Sequence, residues 1–306
     1  MSSDVVHVWD SHAHYFSRKT MEERAKKEGI TLEEMGKRFK ERRIQLGLQD
    51  TRFELPPEDP IKLAKQWIAE MEKYSRDGVK IDKMVFFSRD LDSLNTMTRF
   101  SDRLIGFVFL DLEQDKNLTE VLKLATFKYR VKGIKMIPGE AQHHVYDEQL
   151  WPIYEFAEKH HLPITMHCGL LIGGGDLRYL NPLEVQPIAR EFPEVTFILA
   201  HLGGGFVREV LFLFYQTDNI FVDTSSSNIW YKYLPYPNLS LKRVFRKYLD
   251  TGGPERIIFG TDSGTFPRRF RNNLLQEQLR LLRNLGMSHE DIQKIMRDNL
   301  ASLLPD

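Results

Sequence analysis

The chain has 306 residues, a length that suits one α/β barrel with an insertion. Lysine plus arginine and aspartate plus glutamate number 43 each, so a zero formal net charge gives no support for a nucleic-acid or polyanion partner. Cys168 is the only cysteine, which excludes an internal disulfide, and no apolar run approaches the roughly 20 residues that span a bilayer. We therefore expect a cytoplasmic protein without a membrane span.

Short apolar stretches recur along the chain and predict strands buried on both faces, because they are almost continuously hydrophobic. They begin at Val5, Lys83, Leu104, Val131, Leu162, Val195, Asn219 and Arg256. Segments with helical spacing lie between them. This alternation predicts a parallel (β/α)8 TIM barrel, an α/β fold, as a single domain over residues 1–306. The competing doubly wound sheet usually has a glycine loop after the first strand, where this chain has His-Ala-His.

A highly charged stretch from about residue 17 to residue 60 does not fit the repeat. Met35 and Phe39 give it only a thin apolar stripe, so we interpret it as a helical insertion after the first strand. Loops at that position lie on the catalytic rim of a barrel. A lid or an oligomer contact is one interpretation, and a solvated helix without a role is the other.

Four histidines and one aspartate end or follow the predicted strands. His12 and His14 are two residues apart, so both side chains point the same way from one strand. His167, His201 and Asp262 each follow a different predicted strand, and the carboxyl ends of parallel barrel strands share one rim. Imidazole and carboxylate groups suit zinc and neighbouring transition ions, and catalytic sites keep one position open for water. The pattern therefore predicts a catalytic centre that holds a divalent metal.

The chain resembles the amidohydrolase superfamily, in its branch of metal-dependent hydrolases and decarboxylases. The matching pieces are DSHAH (Asp10 to His14), GIKMIP (Gly133 to Pro138), LPITMHCG (Leu162 to Gly169), ILAHLGGG (Ile198 to Gly205), VDTSS (Val222 to Ser226), IIFGTDSGTFP (Ile257 to Pro267) and DNLASLL (Asp298 to Leu304). They follow the family's order and cover nearly the whole barrel. The resemblance also makes a homodimer a fair expectation.

The resemblance implies a role for each of the five positions. His12, His14, His167 and Asp262 bind one divalent ion, for which Zn²⁺ is the first choice and Mn²⁺, Fe²⁺ or Co²⁺ the alternatives. His201 lies beside the ion as a catalytic acid/base or polarising group, and is an additional ligand in related sites. Asp262 also accepts a proton from the metal-activated water, which agrees with the general chemistry of a carboxylate that reaches both.

Four further residues are candidates for substrate binding. Lys135 lies near the end of the fourth strand, where binuclear members of the superfamily use a carboxylated lysine. We interpret it as a charge near a single-ion site, with a salt bridge inside the barrel as the alternative. Arg268 and Arg269 follow the eighth strand and suit a bidentate clamp on a carboxylate, or ordinary helix-entry surface. Trp230 follows the seventh strand and suits a pocket wall or a subunit contact.

The leading hypothesis is a metal-dependent hydrolase of a small-molecule amide, lactone or related carbonyl compound. The alternative is non-oxidative decarboxylation of a small carboxylic acid on the same site, because the resembling family includes both reactions. A third hypothesis, from another class, is a barrel that binds a metal or ligand without catalysis. The presence of both His201 and Asp262 argues against that third hypothesis.

Overall fold

The computed structural model describes residues 5–45, 53–113, 115, 117–170, 176–230, 239–264 and 269–305. Within these ranges, nine parallel strands form one sheet in the order β8-β7-β6-β5-β4-β3-β2-β1-β9. The strands are β1 (Val6–His14), β2 (Val79–Ser88), β3 (Leu104–Phe109), β4 (Ile134–Met136), β5 (Ile164–Met166), β6 (Phe197–Leu199), β7 (Ile220–Asp223), β8 (Ile257–Ile258) and β9 (Ser263–Gly264). Each predicted stretch overlaps one of the first eight strands, so the predicted parallel α/β barrel is confirmed.

Two short strands, β8 and β9, complete the sheet where one eighth strand was predicted. The predicted stretch, residues 256–261, contains β8, which pairs with β7, whereas β9 lies beyond that stretch and pairs with β1 through Ala13 opposite Ser263. Between β8 and β9, the amide of Ser11 donates to the carbonyl of Phe259 over 3.0 Å. The carboxylate of Asp10 accepts from the amide of Thr261 over 2.9 Å. The segment between β8 and β9 is therefore hydrogen-bonded to β1. Asp262 belongs to this segment, which places it at the rim of the barrel.

Helices follow most strands and cover the outside of the barrel. They are α1 (Arg18–Lys27), α2 (Leu32–Gln45), α3 (Pro60–Tyr74), α4 (Leu91–Phe100), α5 (Leu118–Lys123), α6 (Trp151–Lys159), α7 (Val185–Glu191), α8 (Val207–Gln216), α9 (Ser227–Trp230), α10 (Leu241–Gly252), α11 (Asn272–Asn284), α12 (His289–Gln293) and α13 (Asn299–Leu303). Local sequence explains several boundaries. The Asp59 side chain caps the amide of Ile61 just after Pro60, and Ser288 caps the amide of Asp291. No helix in the described ranges has the length and apolar character needed to cross a membrane.

Helices α1 and α2 occupy the stretch that was predicted to be a helical insertion. Their surface has ion pairs spaced by one helical turn, such as Arg18 with Glu22. Aromatic packing is also present here: the ring of Phe39 lies 5.7 Å from that of Phe53, and a Cβ on Gly36 would lie 2.7 Å from the Phe53 ring. A function for this insertion as a lid or an oligomer contact stays a prediction.

Alternate residues of the strands fill the inside of the barrel. Val85 and Phe87 from β2 pack with Ile105 and Phe107 from β3, and all four are buried. The ring of His12 lies 4.7 Å from that of Phe87, in an edge-on arrangement. The predicted metal site therefore lies directly above the packed interior of the barrel, and the buried side chains there support His12 from below.

Candidate metal centre

The two histidines of β1 and Asp262 form the centre of the site. His12 Nε2 lies 3.9 Å from Asp262 Oδ1, and His14 Nε2 lies 3.2 Å from the same oxygen. One ligand atom from each of the three residues can be chosen so that all lie within 4.8 Å of one another. The His14 side chain is 16% exposed, whereas that of His12 is fully buried. The structure thus brings three of the four predicted ligands together, with one side open towards solvent.

His201 and His167 extend this group from the ring of His12. His167 immediately follows β5, and its Nδ1 lies 3.2 Å from His201 Nε2. The rings of His201 and His12 are 4.9 Å apart between centroids. All five predicted positions therefore meet at one rim, and we call them the His–Asp cluster (His12, His14, His167, His201 and Asp262). Within this cluster, the His167 side chain contacts that of His201, which in turn contacts that of His12.

A left-handed turn places His201. Its backbone has φ 61° and begins a run of positive φ angles that continues to Gly205. The amide of His201 donates to Asp223 Oδ1 over 3.0 Å, and its carbonyl accepts the indole N–H of Trp230 over 2.8 Å. A Cβ on Gly204 would lie 2.2 Å from the carbonyl oxygen of Cys168, so glycine is required at that close approach. Trp230, a predicted substrate-binding residue, is placed by the structure as a buried support of the His201 backbone.

The two oxygens of Asp262 have different surroundings. Oδ1 faces the histidines, whereas Oδ2 accepts the hydroxyl of Ser226 over 2.7 Å and lies 3.4 Å from Arg271 Nη1. The same Arg271 nitrogen donates to Ser226 Oγ over 2.8 Å. Asp262 has φ 58°, and its side chain is held from behind by these donors. One carboxylate oxygen is thereby fixed while the other is presented to the cluster.

The arginine that reaches the cluster is Arg271, which the sequence reasoning missed. Of the two predicted arginines, Arg268 lies outside the described residues. The guanidinium of Arg269 lies 3.2 Å from Glu54 and 3.9 Å from Glu70, with its side chain 47% exposed. Its placement therefore gives no support for substrate contact at the cluster. The FPRRFR run did signal arginines at this strand end, but not which one turns inwards.

Asp223 is the second residue that sequence reasoning passed over. It ends β7, as the predicted ligands end or follow their own strands, and its position was the available signal. Its carboxylate Oδ2 lies 2.8 Å from His12 Nδ1, and both side chains are fully buried. Burial tends to raise the pKa of Asp223, but the adjacent His12 and His201 and the hydrogen bonds hold it well below its usual range. Asp223 is therefore an anion behind the cluster.

Burial also sets the charge of the imidazoles. It lowers the pKa of His12 to about 3, against the opposing effect of Asp223. Burial likewise lowers the pKa values of His167 and His201. These rings are neutral at pH 7, so each has one nitrogen lone pair. The pKa of Cys168 is raised by burial to about 12, so this neighbour of His167 is a thiol rather than a thiolate.

Lys135 lies inside the barrel near the cluster. It is fully buried, and its Nζ has no hydrogen-bond partner in the described part of the chain. The ammonium lies 5.1 Å from the centroid of the Phe87 ring. Burial lowers the pKa of Lys135 to about 8, while the fields of Asp223 and Asp262 act in the opposite direction. The alternative interpretation of a salt bridge inside the barrel finds no carboxylate partner among the described residues.

The donor atoms of the cluster fit a divalent ion. His12 Nε2 is buried without a hydrogen-bond partner among the described residues, an arrangement that is costly for a bare polar atom and is relieved by a cation. A second trio, His12 with His201 and Asp223, also has the spacing of a metal site. There, however, His12 Nδ1 is already hydrogen-bonded to Asp223. The Nε2 side, which faces His14 and Asp262, is the better fit for imidazole and carboxylate ligands of zinc or a neighbouring ion.

Comparisons with known proteins bear on the family and the fold of the chain. The amidohydrolase family model matches residues 9–305. Protein fluG of Emericella nidulans is 27% identical over 113 residues, a match that covers 35% of this chain and only 12% of the length of that relative.

Several solved structures share the barrel over nearly the whole chain. An uncharacterised TIM-barrel protein from Bordetella bronchiseptica has a TM-score of 0.67 at 18% identity, covering 97% of this chain and 98% of that one. For 5-carboxyvanillate decarboxylase from Sphingomonas paucimobilis the TM-score is 0.64 at 11% identity, with coverage of 97% and 98%. A probable 2-pyrone-4,6-dicarboxylic acid hydrolase from Acinetobacter baumannii has a TM-score of 0.60 at 12% identity, with the same coverage of 97% and 98%. At these identities the likeness establishes the fold.

Proposed function

From the premise that the chain belongs to the amidohydrolase family, we propose that it is a metal-dependent hydrolase of a small-molecule amide, lactone or related carbonyl compound. The observation that carries the proposal is the convergence of His12 Nε2, His14 Nε2 and Asp262 Oδ1, with His201 beside them. Neutral imidazoles and an anionic oxygen at the carboxyl ends of barrel strands are the groups that this chemistry requires.

His12, His14, His167 and Asp262 are the residues that would hold the ion. When bound there, a divalent ion polarises a carbonyl group and acidifies a water molecule in its open position. We propose zinc, since three imidazoles and one carboxylate match its preferred ligands; Mn²⁺, Fe²⁺ and Co²⁺ accept the same donors.

Asp262 and His201 manage protons in this proposal. Asp262 Oδ1 faces the cluster while Oδ2 is held by Ser226, so Oδ1 accepts the proton of the attacking water and returns it to the leaving group. His201 Nδ1 lies 3.0 Å from the carbonyl oxygen of Ser225, which only accepts hydrogen bonds. His201 Nδ1 therefore carries the hydrogen, and Nε2, which lies 3.2 Å from His167 Nδ1, is the acceptor nitrogen that faces the cluster. His201 acts as a base rather than as an acid at the start of the reaction.

Non-oxidative decarboxylation of a small carboxylic acid is the second candidate. The observation that favours it is the pair of cations at the site, since Lys135 is buried without a hydrogen-bond partner among the described residues and Arg271 reaches Asp262. Both suit an anionic substrate. In that reaction the bond to the carboxylate carbon breaks, carbon dioxide leaves, and an acid of the site protonates the remaining carbanion.

Substrate panels combined with metal analysis test the proposal. Protein purified without added metal is analysed for bound ions, then assayed on an ester, lactone and amide panel beside a carboxylic-acid panel monitored for carbon dioxide. A stoichiometric ion with turnover on the first panel is the expected result. Turnover of the carboxylic acids alone would replace hydrolysis by decarboxylation. Turnover by correctly folded, metal-free protein would overturn both, and a bound ion without turnover on either panel would favour the non-catalytic barrel.

The remaining expectations are part of the same proposal. We propose Lys135 as a substrate contact, because a buried ammonium near the cluster suits an anionic group of the substrate. A cytoplasmic location is supported by Cys168, which is buried and free. A homodimer is tested by light scattering of the purified protein, and a monomeric mass at assay concentration would contradict it.

A further inference from the structure

The contact between Asp223 and His12 determines where His12 has its hydrogen. His12 Nδ1 lies 2.8 Å from Asp223 Oδ2, and an ionised carboxylate only accepts hydrogen bonds. His12 Nδ1 must therefore carry the hydrogen, and a neutral imidazole then has its lone pair on Nε2. That nitrogen has no hydrogen-bond partner in the described ranges and faces Asp262 Oδ1 at 3.9 Å.

The other oxygen of Asp223 organises His201. Oδ1 accepts the amides of His201, over 3.0 Å, and Ser225, over 2.9 Å, and also the Ser225 hydroxyl. Because that hydroxyl gives its proton to Asp223, its oxygen is an acceptor towards His201 Nδ1, 2.8 Å away. The carbonyl of Ser225 also faces this nitrogen, at 3.0 Å. His201 Nδ1 therefore carries the hydrogen as well, and the lone pair of His201 is on Nε2.

We propose that Asp223 is a positioning residue that, with Ser225, fixes His12 and His201 in the tautomer with the lone pair on Nε2, the nitrogen that faces the metal centre. What those two nitrogens then do rests on the proposed function. Carboxylates that bind the second nitrogen of a metal-ligating histidine fix its tautomer and ring orientation, and their loss weakens metal binding about 10- to 100-fold. Asp223 has the position and the contacts for this role from the end of β7, a strand from which no ligand was predicted.

Asp223→Asn is the sharpest test because the geometry dictates how its amide is oriented. Three donors converge on Oδ1, so the amide oxygen stays on that side and the NH₂ group points at His12 Nδ1. His12 then has to accept at Nδ1 and carry its hydrogen on Nε2, which removes the lone pair from the cluster. Because asparagine is almost isosteric with aspartate, Asp223→Asn should reverse the His12 tautomer without leaving a cavity at position 223.

The tautomer is measured directly in the full chain labelled with ¹⁵N-histidine and freed of metal by chelation. Long-range ¹H–¹⁵N spectra show which nitrogen carries the hydrogen, and the His12 signals are assigned by their loss in His12→Gln. The expected result is hydrogen on Nδ1 in the wild type and on Nε2 in Asp223→Asn. Zn²⁺ affinity, measured by competition with a chromophoric chelator, should fall about 10- to 100-fold in the same variant.

Asp82→Asn is the matched control. The Asp82 carboxylate lies 2.7 Å from His7 Nδ1, so it makes the same kind of contact on a histidine outside the cluster. This variant should leave the His12 tautomer and Zn²⁺ affinity unchanged. If it weakens Zn²⁺ binding as much as Asp223→Asn does, the effect is not specific to Asp223 and the inference is overturned.

Asp223→Ala separates positioning from packing. It leaves the buried amides of His201 and Ser225 without their acceptor, so it should be the less stable variant. Yet Ser225 Oγ lies 3.0 Å from His12 Nδ1 and remains available as an acceptor, so Asp223→Ala should retain more Zn²⁺ affinity than Asp223→Asn. Affinity that follows thermal stability across the variants would overturn the inference. If Asp223→Ala does not fold, the spectra of Asp223→Asn decide: an unchanged His12 tautomer overturns the inference.

The inference and the proposed function fail in different ways. A reversed tautomer and weakened Zn²⁺ binding in Asp223→Asn, without turnover of any panel substrate by the wild type, would leave the role of Asp223 intact and remove the proposed function. Hydrolysis of a panel substrate by a wild type whose His12 carries its hydrogen on Nε2 would support the proposed function and overturn the role of Asp223.

Discussion

The hydroxyl of Ser226 donates to Asp262 Oδ2 over 2.7 Å, and both residues have left-handed backbones, with φ 50° and 58°. Such conformations are sparsely populated by residues other than glycine, cost about 1–3 kcal/mol each, and persist where the surroundings enforce them. The two residues follow β7 and β8, so two turns from neighbouring strands are joined at this contact. Their joint effect is to direct Asp262 Oδ1 towards His12 and His14.

Removing the Ser226 hydroxyl should lower turnover without unfolding the protein. Ser226→Ala and Ser226→Gly both remove one donor to Asp262 Oδ2, a loss worth about 1–1.5 kcal/mol, so kcat/KM should fall about tenfold in each. Only alanine keeps the strain of φ 50°, so Ser226→Ala should have the lower melting temperature. Kinetics and thermal unfolding of the pair check this. Wild-type turnover in both variants would contradict it.

Much of the cluster was predictable from sequence because a parallel barrel brings strand carboxyl ends to one rim. His14 ends β1, His12 lies two residues before that end, and His167 directly follows β5, so their meeting required only the fold. Asp223 ends a strand in the same way, yet it was passed over as part of a matching motif. The histidines could be recognised in the sequence because a closely spaced histidine pair suggests metal ligands. A single aspartate that contacts a ligand, rather than the metal, has no such signature.

The arginine at the site could not be chosen from sequence. Arg269 and Arg271 are two residues apart, and no helical or strand period extends over the turn that contains them. The positive φ of Arg269, 42°, turns its side chain towards Glu54 and Glu70, while Arg271 precedes α11 and reaches Asp262. Such a choice depends on individual backbone angles, which the hydrophobic pattern does not encode.

Asp262→Asn should nearly abolish turnover in a folded protein. Ser226 and Arg271 donate to the Oδ2 side, so the amide oxygen remains there and the NH₂ group replaces the anionic Oδ1 beside His14. The cluster then loses both a ligand oxygen and a proton acceptor, and a loss of at least about 100-fold in kcat is expected. Steady-state kinetics beside circular dichroism check this. Near-normal activity would refute the role of Asp262, and Asp82→Asn is the control for a generic aspartate replacement.

Lys135→Met should weaken substrate binding without weakening the fold. The ammonium is buried and has no hydrogen-bond partner in the described part of the chain, so replacing it by an apolar side chain removes a desolvated charge. If Lys135 binds an anionic group of the substrate, KM should rise about tenfold or more, with a smaller change in kcat. Lys132→Met, whose native Nζ donates to the carbonyl of Pro305 over 3.0 Å, is the control. An unchanged KM for Lys135→Met would exclude the contact.

The stability difference between wild type and Lys135→Met should depend on pH. Burial lowers the pKa of Lys135 from 10.5 to about 8. Between these values the unfolded chain retains a proton that the folded chain has lost, so wild-type stability rises with pH across this window. Below about pH 8 Lys135 is protonated in both states, and burying its charge destabilises the folded wild type by about 3 kcal/mol. Lys135→Met lacks this charge, so its free energy of unfolding should exceed that of the wild type by less at about pH 10 than at about pH 7.5, and the decrease should be of the same order. Urea unfolding of metal-free protein at these two pH values measures it. A difference that stays constant with pH, or that Lys132→Met reproduces, would contradict a buried, titrating Lys135.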